Sequence, residues 1–404
     1  MTATTDSLYY DMFDRDIYRD PYPVYRRLRD EAPLYENEQH GFFVVSRFDD
    51  VERVLLDRQR FSSSMGSAYS FMPYVISGQV EIPSGLFIAS DAPEHTVHRG
   101  LVSRVFTPKA VAALEPQIRA FCARVLDDVM GSGEFDYAKD VSQLIPMRVI
   151  GMLLGIPEGD QTALRAYFHE AMNDHAYDEQ GRDPFERLEN SEDLFGPYID
   201  WRASNPSDDL MTQLLQAEFE DASGVRRRLT RDEVFIYVNM IAAAGSDTTS
   251  RLMEWTVKLL AEHPEQRHEL AGDRSLIPNA IEEVLRFESP SYSFGRYLLE
   301  DVELHGRVLP AGSVVIVIPG SANHDERHFD DPDRFDVHRD PTRILTFGIG
   351  AHLCIGASLA RMEGRIVLEE LLARIPDWDV DLSRAEMTSA VDTRGWESLP
   401  FIPA

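Results

Sequence analysis

One helical pattern, running from about residue 230 to residue 263, constrains the fold of this chain more than any other feature. Apolar residues recur along it with a period near 3.6 residues, and Pro264 follows its last turn. Thr230 and Glu233 stand three residues apart at its start, which predicts a capping box. Similar patterns cover 95–130 and 358–375. The sequence therefore predicts a mainly α protein.

Strand signals are fewer and form the minor part of the fold. Residues 41–57 are typical of a strand followed by an amphipathic helix, and residues 301–320 alternate in the manner of a hairpin. The chain has 404 residues, which exceeds the size of about 250–300 residues at which one core stops growing. Two domains, or one large domain with a smaller lobe, are both open at this point.

The charge and the cysteine count exclude several classes of function. The formal net charge is −29, and because a polyanion gains nothing from phosphate contacts we expect no nucleic-acid partner. An anionic membrane surface would repel such a chain, and the most apolar run, 314–318, is too short to cross a bilayer. The N-terminus carries acids instead of a secretory signal. The two cysteines, Cys122 and Cys354, give no disulfide framework, so we expect a cytoplasmic protein.

The segment FGIGAHLCIG, residues 347–356, places Cys354 among glycines just before a predicted helix. Free N–H groups at a helix start favour a thiolate, and glycines allow a tight turn that aims such groups at the sulfur. Three roles remain open on these grounds: an inert buried cysteine, a nucleophile with His352 near it in sequence, or a single axial thiolate to haem iron.

A second unusual segment, AAAGSDTTS at 242–250, lies in the middle of the longest helical pattern. Glycine, serine, aspartate and threonine are poor residues for a helix interior. Their clustering predicts a local opening of the hydrogen-bond ladder, with room for a small ligand and water. A kink without chemistry is the alternative.

The pattern FGxGxHxCxG at 347–356 resembles the haem-binding loop of the cytochrome P450 family. Ordered motifs extend this resemblance over about 91–371. Glu283 and Arg286 resemble the family's Glu-x-x-Arg pair, and the segment PDRF at 332–335 is similar to the one that supplies a further arginine, here Arg334. The resemblance implies a buried charge network that holds the fold around the haem.

The resemblance implies a cytochrome P450 fold, with an α-rich domain, a smaller β-containing lobe at approximately 20–60 and 298–320, and haem b between two long helices. Residues 1–404 would then form a single P450 domain. The implied axial ligand of the iron is Cys354. The other residues that the resemblance assigns to haem binding are His95, Arg99, Ala244, Arg296, Phe347, Gly348, His352 and Gly356.

By the same resemblance, Asp247 and Thr248 handle protons during oxygen activation. The implied activity is the insertion of one oxygen atom from O2 into a C–H bond of a small apolar substrate, such as a terpenoid, steroid, fatty acid or aromatic. A non-catalytic haem-thiolate sensor is the alternative. The substrate pocket is expected at the loop 62–88 and at Ala243, Ala244, Tyr292, Ser293 and Phe294.

Electrons must come from another protein, because the chain carries no flavin or nicotinamide fingerprint. The resemblance implies a ferredoxin with its NAD(P)H-dependent reductase. A basic patch of Arg104, Lys109, Arg361 and Arg365 is the expected docking surface for an acidic ferredoxin. We expect the protein to act as a monomer.

Overall fold

The computed structural model describes residues 8–131, 133–160, 191–340, 343–390 and 392–404. The helices of the described residues form the larger part of the molecule, as the sequence predicts. They are α1 (Arg15–Arg19), α2 (Tyr22–Glu31), α3 (Phe48–Leu56), α4 (Met72–Ile76), α5 (Glu94–Ser103), α6 (Pro108–Val129), α7 (Leu144–Leu154), α8 (Glu192–Ser204), α9 (Leu210–Gln216), α10 (Arg231–Glu262), α11 (Pro264–Gly272), α12 (Ile277–Phe287), α13 (Pro319–Ala322) and α14 (Ala357–Arg374).

Helix α10 is the centre of the fold. It has 32 residues, and most of them are buried on all sides. The predicted capping box is confirmed, because the Thr230 hydroxyl accepts from the Glu233 N–H and the Glu233 carboxylate accepts from the Thr230 N–H. Helices α7, α12 and α14 pack against α10. A helix that is buried on most of its surface is stabilised mainly by the packing around it.

A mixed sheet forms a separate layer beside the helices. Its strands, in spatial order, are β1 (Leu34–Asn37), β2 (Phe42–Val45), β10 (Val314–Val317), β7 (Phe294–Leu298) and β3 (Phe61–Ser62). Strand β10 runs parallel to β2 and antiparallel to β7, and its residues are buried on both faces. This burial explains why the sequence of β10 is continuously apolar instead of alternating.

The hairpin expected within 301–320 consists of β8 (Val302–Leu304) and β9 (Arg307–Leu309). Further short strands lie outside the large sheet: β4 (Phe135–Asp136), β5 (Glu218–Glu220), β6 (Arg226–Arg228), β11 (Trp378–Val380), β12 (Glu386–Met387), β13 (Trp396–Ser398) and β14 (Pro400–Pro403). The C-terminal strand β14 pairs with both β11 and β4. These pairings fasten the end of the chain to the helical layer.

A buried ion-pair network holds the segment before the cysteine loop against α12. Glu283 and Arg286 are both fully buried, and Arg286 Nε lies 2.7 Å from Glu283 Oε2. The prediction that Arg334 completes this network is wrong, because its side chain is largely exposed and pairs with Asp336. The second arginine is Arg339, whose Nε lies 3.2 Å from Glu283 Oε1. Arg286 binds the Arg334 segment only through backbone carbonyls.

Among the described residues, no helix is both long enough and apolar enough to span a membrane.

Candidate active site

A cavity of about 300 Å³ lies between α10 and the loop that precedes α14. It is lined on one side by α10 and on the other by residues 346–356 and by the start of α14. Its walls are mainly apolar. The lining includes Phe87, Ile88, Phe106, Ile150, Met240, Ile241, Ala244, Thr248, Leu252, Phe294, Arg296, Phe347, Gly348, His352, Cys354 and Gly356.

The cysteine loop turns the Cys354 thiol toward this cavity. The Cys354 N–H donates to the Phe347 carbonyl at 2.8 Å, which closes the loop. Gly348 and Gly350 take φ values of 65° and 78°, where other residues are strained. Gly356 has a negative φ and caps α14. Cys354 is exposed to the cavity, whereas the other cysteine is buried.

Two opposing influences act on the Cys354 thiol. Desolvation by the surrounding loop raises its pKa, while hydrogen bonds from the Gly356 and Ala357 N–H groups and the charges of Arg99 and Arg361 lower it. Desolvation is the larger influence. The backbone donors of a helix start are nevertheless in place to stabilise a thiolate once a cation faces the sulfur.

Four cationic or basic side chains converge on one edge of the cavity: His95 and Arg99 from α5, Arg296 from β7, and His352 from the cysteine loop. The His95 and His352 rings lie 4.1 Å apart. Burial lowers the pKa of Arg296 to about 10. Burial, together with His95 and the arginines, lowers the pKa of His352 to about 3. With a pKa of about 3 the His352 ring is neutral near pH 7, so the positive charge of this edge comes from Arg99 and Arg296.

No carboxylate of the described residues forms an ion pair with any of these four side chains. Asp91 lies near enough to raise the pKa of Arg296, but its oxygens accept hydrogen bonds from Ser62 and Ser63. The His95 Nε2 atom is buried without a hydrogen-bond partner. Arg296 is buried without an ion-pair carboxylate, and an anion in the cavity would stabilise its guanidinium. The two propionates of haem fit this requirement, and the Cys354 thiol fits the iron.

The described residues contain no cluster of three or more histidine, cysteine, aspartate or glutamate side chains suited to hold a metal ion. A single thiolate therefore matches haem iron, which needs one axial ligand from the chain, better than a protein-coordinated metal centre.

The glycine and hydroxyl cluster of α10 differs from its predicted form. The helix is α-helical through 242–250, so the predicted local opening is wrong for the described helix. Gly245 is required by packing, because a Cβ there would lie 2.5 Å from Ile150 Cδ1. The Thr248 hydroxyl lines the cavity and donates to the Ala244 carbonyl at 2.8 Å. Thr248 therefore lies at the cavity wall. Its hydroxyl can exchange the bond to the Ala244 carbonyl for a hydrogen bond to a molecule in the cavity.

Asp247 is turned away from the cavity. Its Oδ1 atom lies 2.6 Å from Arg251 Nη2, and its Oδ2 atom accepts from the Thr393 hydroxyl at 2.5 Å. Arg251 also pairs with the fully buried Glu254. The sequence places Asp247 and Thr248 side by side, but the structure brings only Thr248 to the cavity.

Two charged residues at the site are missing from the sequence prediction. Arg58, which follows α3, adds positive charge that lowers the pKa of His352 and His95. Glu363 lines the cavity from α14, and burial raises its pKa well above the ordinary value. Nothing in the local sequence marks Arg58, while Glu363 could have been found by its place on the buried stripe of its helix.

The predicted substrate pocket is confirmed only in part. Ala244 and Phe294 line the cavity, and the loop 62–88 contributes Ser67, Phe87 and Ile88. Tyr292 does not line it. The Tyr292 ring packs against Tyr18 and Tyr25 in a buried aromatic cluster, with centroid distances of 5.6 and 6.4 Å.

Comparison with known proteins agrees with this fold and site. A family model described as cytochrome P450 matches residues 198–376. The putative cytochrome P450 123 of Mycobacterium tuberculosis is 36% identical over 97% of this chain and 96% of its own length. Cyclomarin C epoxidase CymV of Salinispora arenicola is 35% identical over 90% of this chain and 89% of its own.

Among solved structures, CYP109E1 of Bacillus megaterium in complex with testosterone matches with a TM-score of 0.85 and 29% identity, covering 96% of this chain and 99% of that one. These matches and the cavity define a haem-thiolate mono-oxygenase. The chain belongs to the cytochrome P450 family.

Proposed function

We propose that this chain binds haem b through Cys354 and hydroxylates a small apolar substrate with electrons from a ferredoxin. The observation that carries this proposal is the cavity, with a thiol at one wall and with two arginines and two histidines at its edge that pair with no carboxylate of the described residues. When bound, haem supplies the oxygen-activating chemistry. The protein's part is to hold it, exclude water and deliver protons.

The residues that would hold the haem fall into two sets, one at the iron and one at the propionates. Cys354 would supply the thiolate to the iron, and His95, Arg99, Arg296 and His352 would contact the propionates. Phe347, Gly348 and Gly356 shape the loop around the sulfur, while Ala244 lies at the opposite wall. Arg99 also donates to the Leu353 carbonyl at 2.5 Å. It therefore ties the cationic edge to the cysteine loop.

The chain's own acid–base chemistry is assigned to Thr248 and Asp247. The Thr248 hydroxyl can exchange its bond to the Ala244 carbonyl for one to a molecule in the cavity, and so hold a proton there. Asp247, which pairs with Arg251, is one residue away in the chain. A rotation of its side chain would carry a proton from the buried network toward Thr248.

Replacing Thr248 with alanine is expected to leave haem bound and to lower the product formed per NAD(P)H by about tenfold or more, because a positioned proton donor typically contributes at least that much. Product and NAD(P)H are quantified together in a reconstituted redox chain. Thr248→Ser is the matched control, since it keeps the hydroxyl and is expected to keep the coupling. Unchanged coupling in the alanine variant would refute the role of Thr248.

An apolar substrate follows from the walls on the α10 side of the cavity. Phe87, Ile88, Ile241 and Phe294 are apolar, and the polar side chains beside them are uncharged hydroxyls, such as those of Ser67, Thr248 and Ser291. A structural relative binds testosterone, so a panel of steroids, terpenoids, fatty acids and aromatics is the appropriate screen. A haem spin-state shift on binding, followed by product analysis, tests the proposal. A protein that binds such compounds but never turns over would instead be the non-catalytic ligand-binding alternative.

The docking surface for the ferredoxin is smaller than the sequence suggests. Arg365 pairs with Glu115 at 2.7 Å and with Glu369 at 3.0 Å, and Arg361 pairs with Glu282. Their charges are therefore largely compensated. Arg104 and Lys109 are exposed, and the described structure gives neither an ion pair. We assign the electrostatic steering of an acidic ferredoxin to these two residues.

The double variant Arg104→Glu/Lys109→Glu is expected to slow reduction by an acidic ferredoxin by about tenfold at low ionic strength. The difference should shrink in high salt, because screening removes steering. Stopped-flow reduction at several salt concentrations checks this. Arg226→Glu on the β5–β6 hairpin changes charge on an exposed side chain elsewhere and is the control. Equal rates for all three proteins at low salt would reject this docking surface.

A monomeric state, a cytoplasmic location and the organisation of residues 1–404 as one P450 domain stay predictions.

A further inference from the structure

Three consecutive arginines form strand β6, and only the middle one turns toward α10. Arg226 and Arg228 are exposed and pair with Glu218 on the neighbouring strand. Arg227 instead binds the buried carboxylate of Glu233 in the first turn of α10, with its Nη1 atom 2.7 Å from Oε2 and its Nη2 atom 2.8 Å from Oε1. Two parallel bonds of this kind fix the relative position of both partners.

The Glu233 carboxylate also holds the loop that forms one wall of the cavity. Its Oε1 atom accepts a hydrogen bond from the Ser84 hydroxyl at 2.8 Å. Gly85 follows with a φ of 94°, and its backbone lies so close to α10 that a Cβ there would be 3.4 Å from the Tyr237 ring. The short turn Phe87–Ala89 comes next, and its phenylalanine lines the cavity. The anchored serine is therefore near the cavity wall in the chain.

A second set of contacts joins the hairpin to the same phenylalanine. The Arg227 guanidinium lies over the Phe219 ring, 4.7 Å from its centroid, and that ring packs against His98 with centroids 5.7 Å apart. The Tyr237 hydroxyl lies 2.7 Å from His98 Nδ1. The Phe87 ring packs on Tyr237, with 5.9 Å between the centroids. Each step from Arg227 to the cavity wall is therefore a ring contact or a hydrogen bond.

The turn that carries Phe87 depends on these contacts for its position. A single tight turn has poor hydrogen-bond geometry of its own, and loops move more than the elements that they connect. Helix α10, in contrast, is long and mostly buried. The contacts at Glu233 and Tyr237 therefore attach a wall of low intrinsic rigidity to the most rigid element of the fold.

The Glu233 carboxylate is ionised at neutral pH. Desolvation by burial opposes this, but hydrogen bonds from Arg227, from Ser84 and from the cap of α10 outweigh it and lower the pKa of Glu233 to about 2. Arg227 also pairs with Asp221 within the hairpin, at 3.1 Å. Both charges of the Arg227–Glu233 pair are therefore present under ordinary assay conditions.

We propose that Arg227 is a positioning residue for the substrate. Through the Glu233 carboxylate it sets the place of the Phe87 ring in the cavity, and with it the space that an apolar molecule occupies. The inference rests on the proposed function, because it concerns the cavity in which haem and substrate would bind. It assigns a part in substrate selection to a surface hairpin that does not line that cavity.

Two iron ligands of different size test this inference without a known substrate. Imidazole and phenylimidazole would both bind haem iron through nitrogen and shift the Soret band, and the phenyl group adds an apolar part for the cavity walls to contact. In Arg227→Gln we expect phenylimidazole to bind at least about fivefold more weakly, the lower end of typical coupling between sites. Imidazole should bind as in the wild type. Optical titration of the haem-loaded protein measures both dissociation constants.

Arg228→Gln is the matched control, because it makes the same change one residue further on, where the ion pair is exposed. Its affinity for both ligands should equal that of the wild type. Arg227→Lys keeps a positive charge beside Glu233 and should recover most of the affinity for phenylimidazole. Wild-type affinity in Arg227→Gln overturns the inference. If that variant yields no folded protein, wild-type affinity in Ser84→Ala, which removes the hydroxyl bond to Glu233, overturns it instead.

A double-mutant cycle shows whether Arg227 acts through the cavity wall. Phe87→Ala removes the ring that the contacts position, and it should itself weaken the binding of phenylimidazole. Adding Arg227→Gln to Phe87→Ala should then have no further effect, because residues that act through one contact are not additive. A merely structural role of Arg227 predicts additive losses, and additive losses overturn the inference.

The same titrations separate this inference from the proposed function. If imidazole shifts the Soret band of the wild type while phenylimidazole binds equally well to all variants, only the role of Arg227 fails. If the wild type has no Soret band to shift, the proposed haem binding fails and the inference fails with it.

Discussion

The Cys354→Ser variant is expected to lose mono-oxygenase turnover completely while keeping its fold. The Cys354 thiol is exposed to the cavity and its backbone N–H closes the loop, so a serine can keep the loop but cannot supply a thiolate. Turnover should fall by at least about a thousandfold, because a thiolate ligand would donate the electron density that favours O–O cleavage. Product formation in the reconstituted chain measures it.

Cys122→Ser is the matched control for this change. Cys122 is fully buried on α6, away from the cavity lining, and burial raises its pKa to a value at which it stays a thiol. The same atom replacement there should cost only about 1–3 kcal/mol of stability, the cost of burying a hydroxyl. Full haem content and turnover are expected. Equal activity in the two serine variants would contradict the assignment of Cys354.

Breaking the buried network on α12 is expected to have the largest effect on stability. In Arg286→Leu the fully buried carboxylate of Glu283 loses its nearest cation and keeps Arg339 at 3.2 Å and the Asp336 N–H at 3.0 Å. Leaving one charge of a buried pair uncompensated costs about 3–5 kcal/mol, a large fraction of the stability of an ordinary domain. Urea unfolding and the yield of folded, haem-loaded protein measure this effect.

The stabilities of two arginine variants show which arginine pairs with Glu283. Arg339→Leu should destabilise the protein by several kcal/mol, since it removes a nearly buried partner of Glu283. Arg334→Leu should cost at most about 1 kcal/mol, because its ion pair with Asp336 is exposed. The reverse order would show that Arg334, as the sequence motif suggests, is the partner of Glu283.

Local patterns predicted the elements of the site well. The capping box at Thr230, the long helix behind it and the hairpin within 301–320 all depend on neighbours in sequence, and the structure has each of them. The cysteine loop was predicted for the same reason, since its glycines and hydrogen bonds lie within ten residues. Cys354 and His352 therefore reach the cavity as expected.

The errors arose where a contact joins distant parts of the chain. Gly245 looked like a helix breaker, but its reason is the close approach of Ile150 from α7. Arg334 and Arg339 are five residues apart in one coil, and only the folded path shows which one turns toward Glu283. Tyr292 is drawn into an aromatic cluster by Tyr18 and Tyr25 from the N-terminal helices. None of these contacts can be recognised from the residues that are neighbours in the sequence.

The carbon-monoxide difference spectrum of the reduced, haem-loaded protein tests the central claim most directly, because the position of its Soret band reports the ligand opposite the bound gas. A thiolate from Cys354 predicts the long-wavelength Soret band of haem-thiolate proteins in the wild type and its loss in Cys354→Ser. A short-wavelength band in the wild type, or a long-wavelength band that survives in the serine variant, would contradict the account.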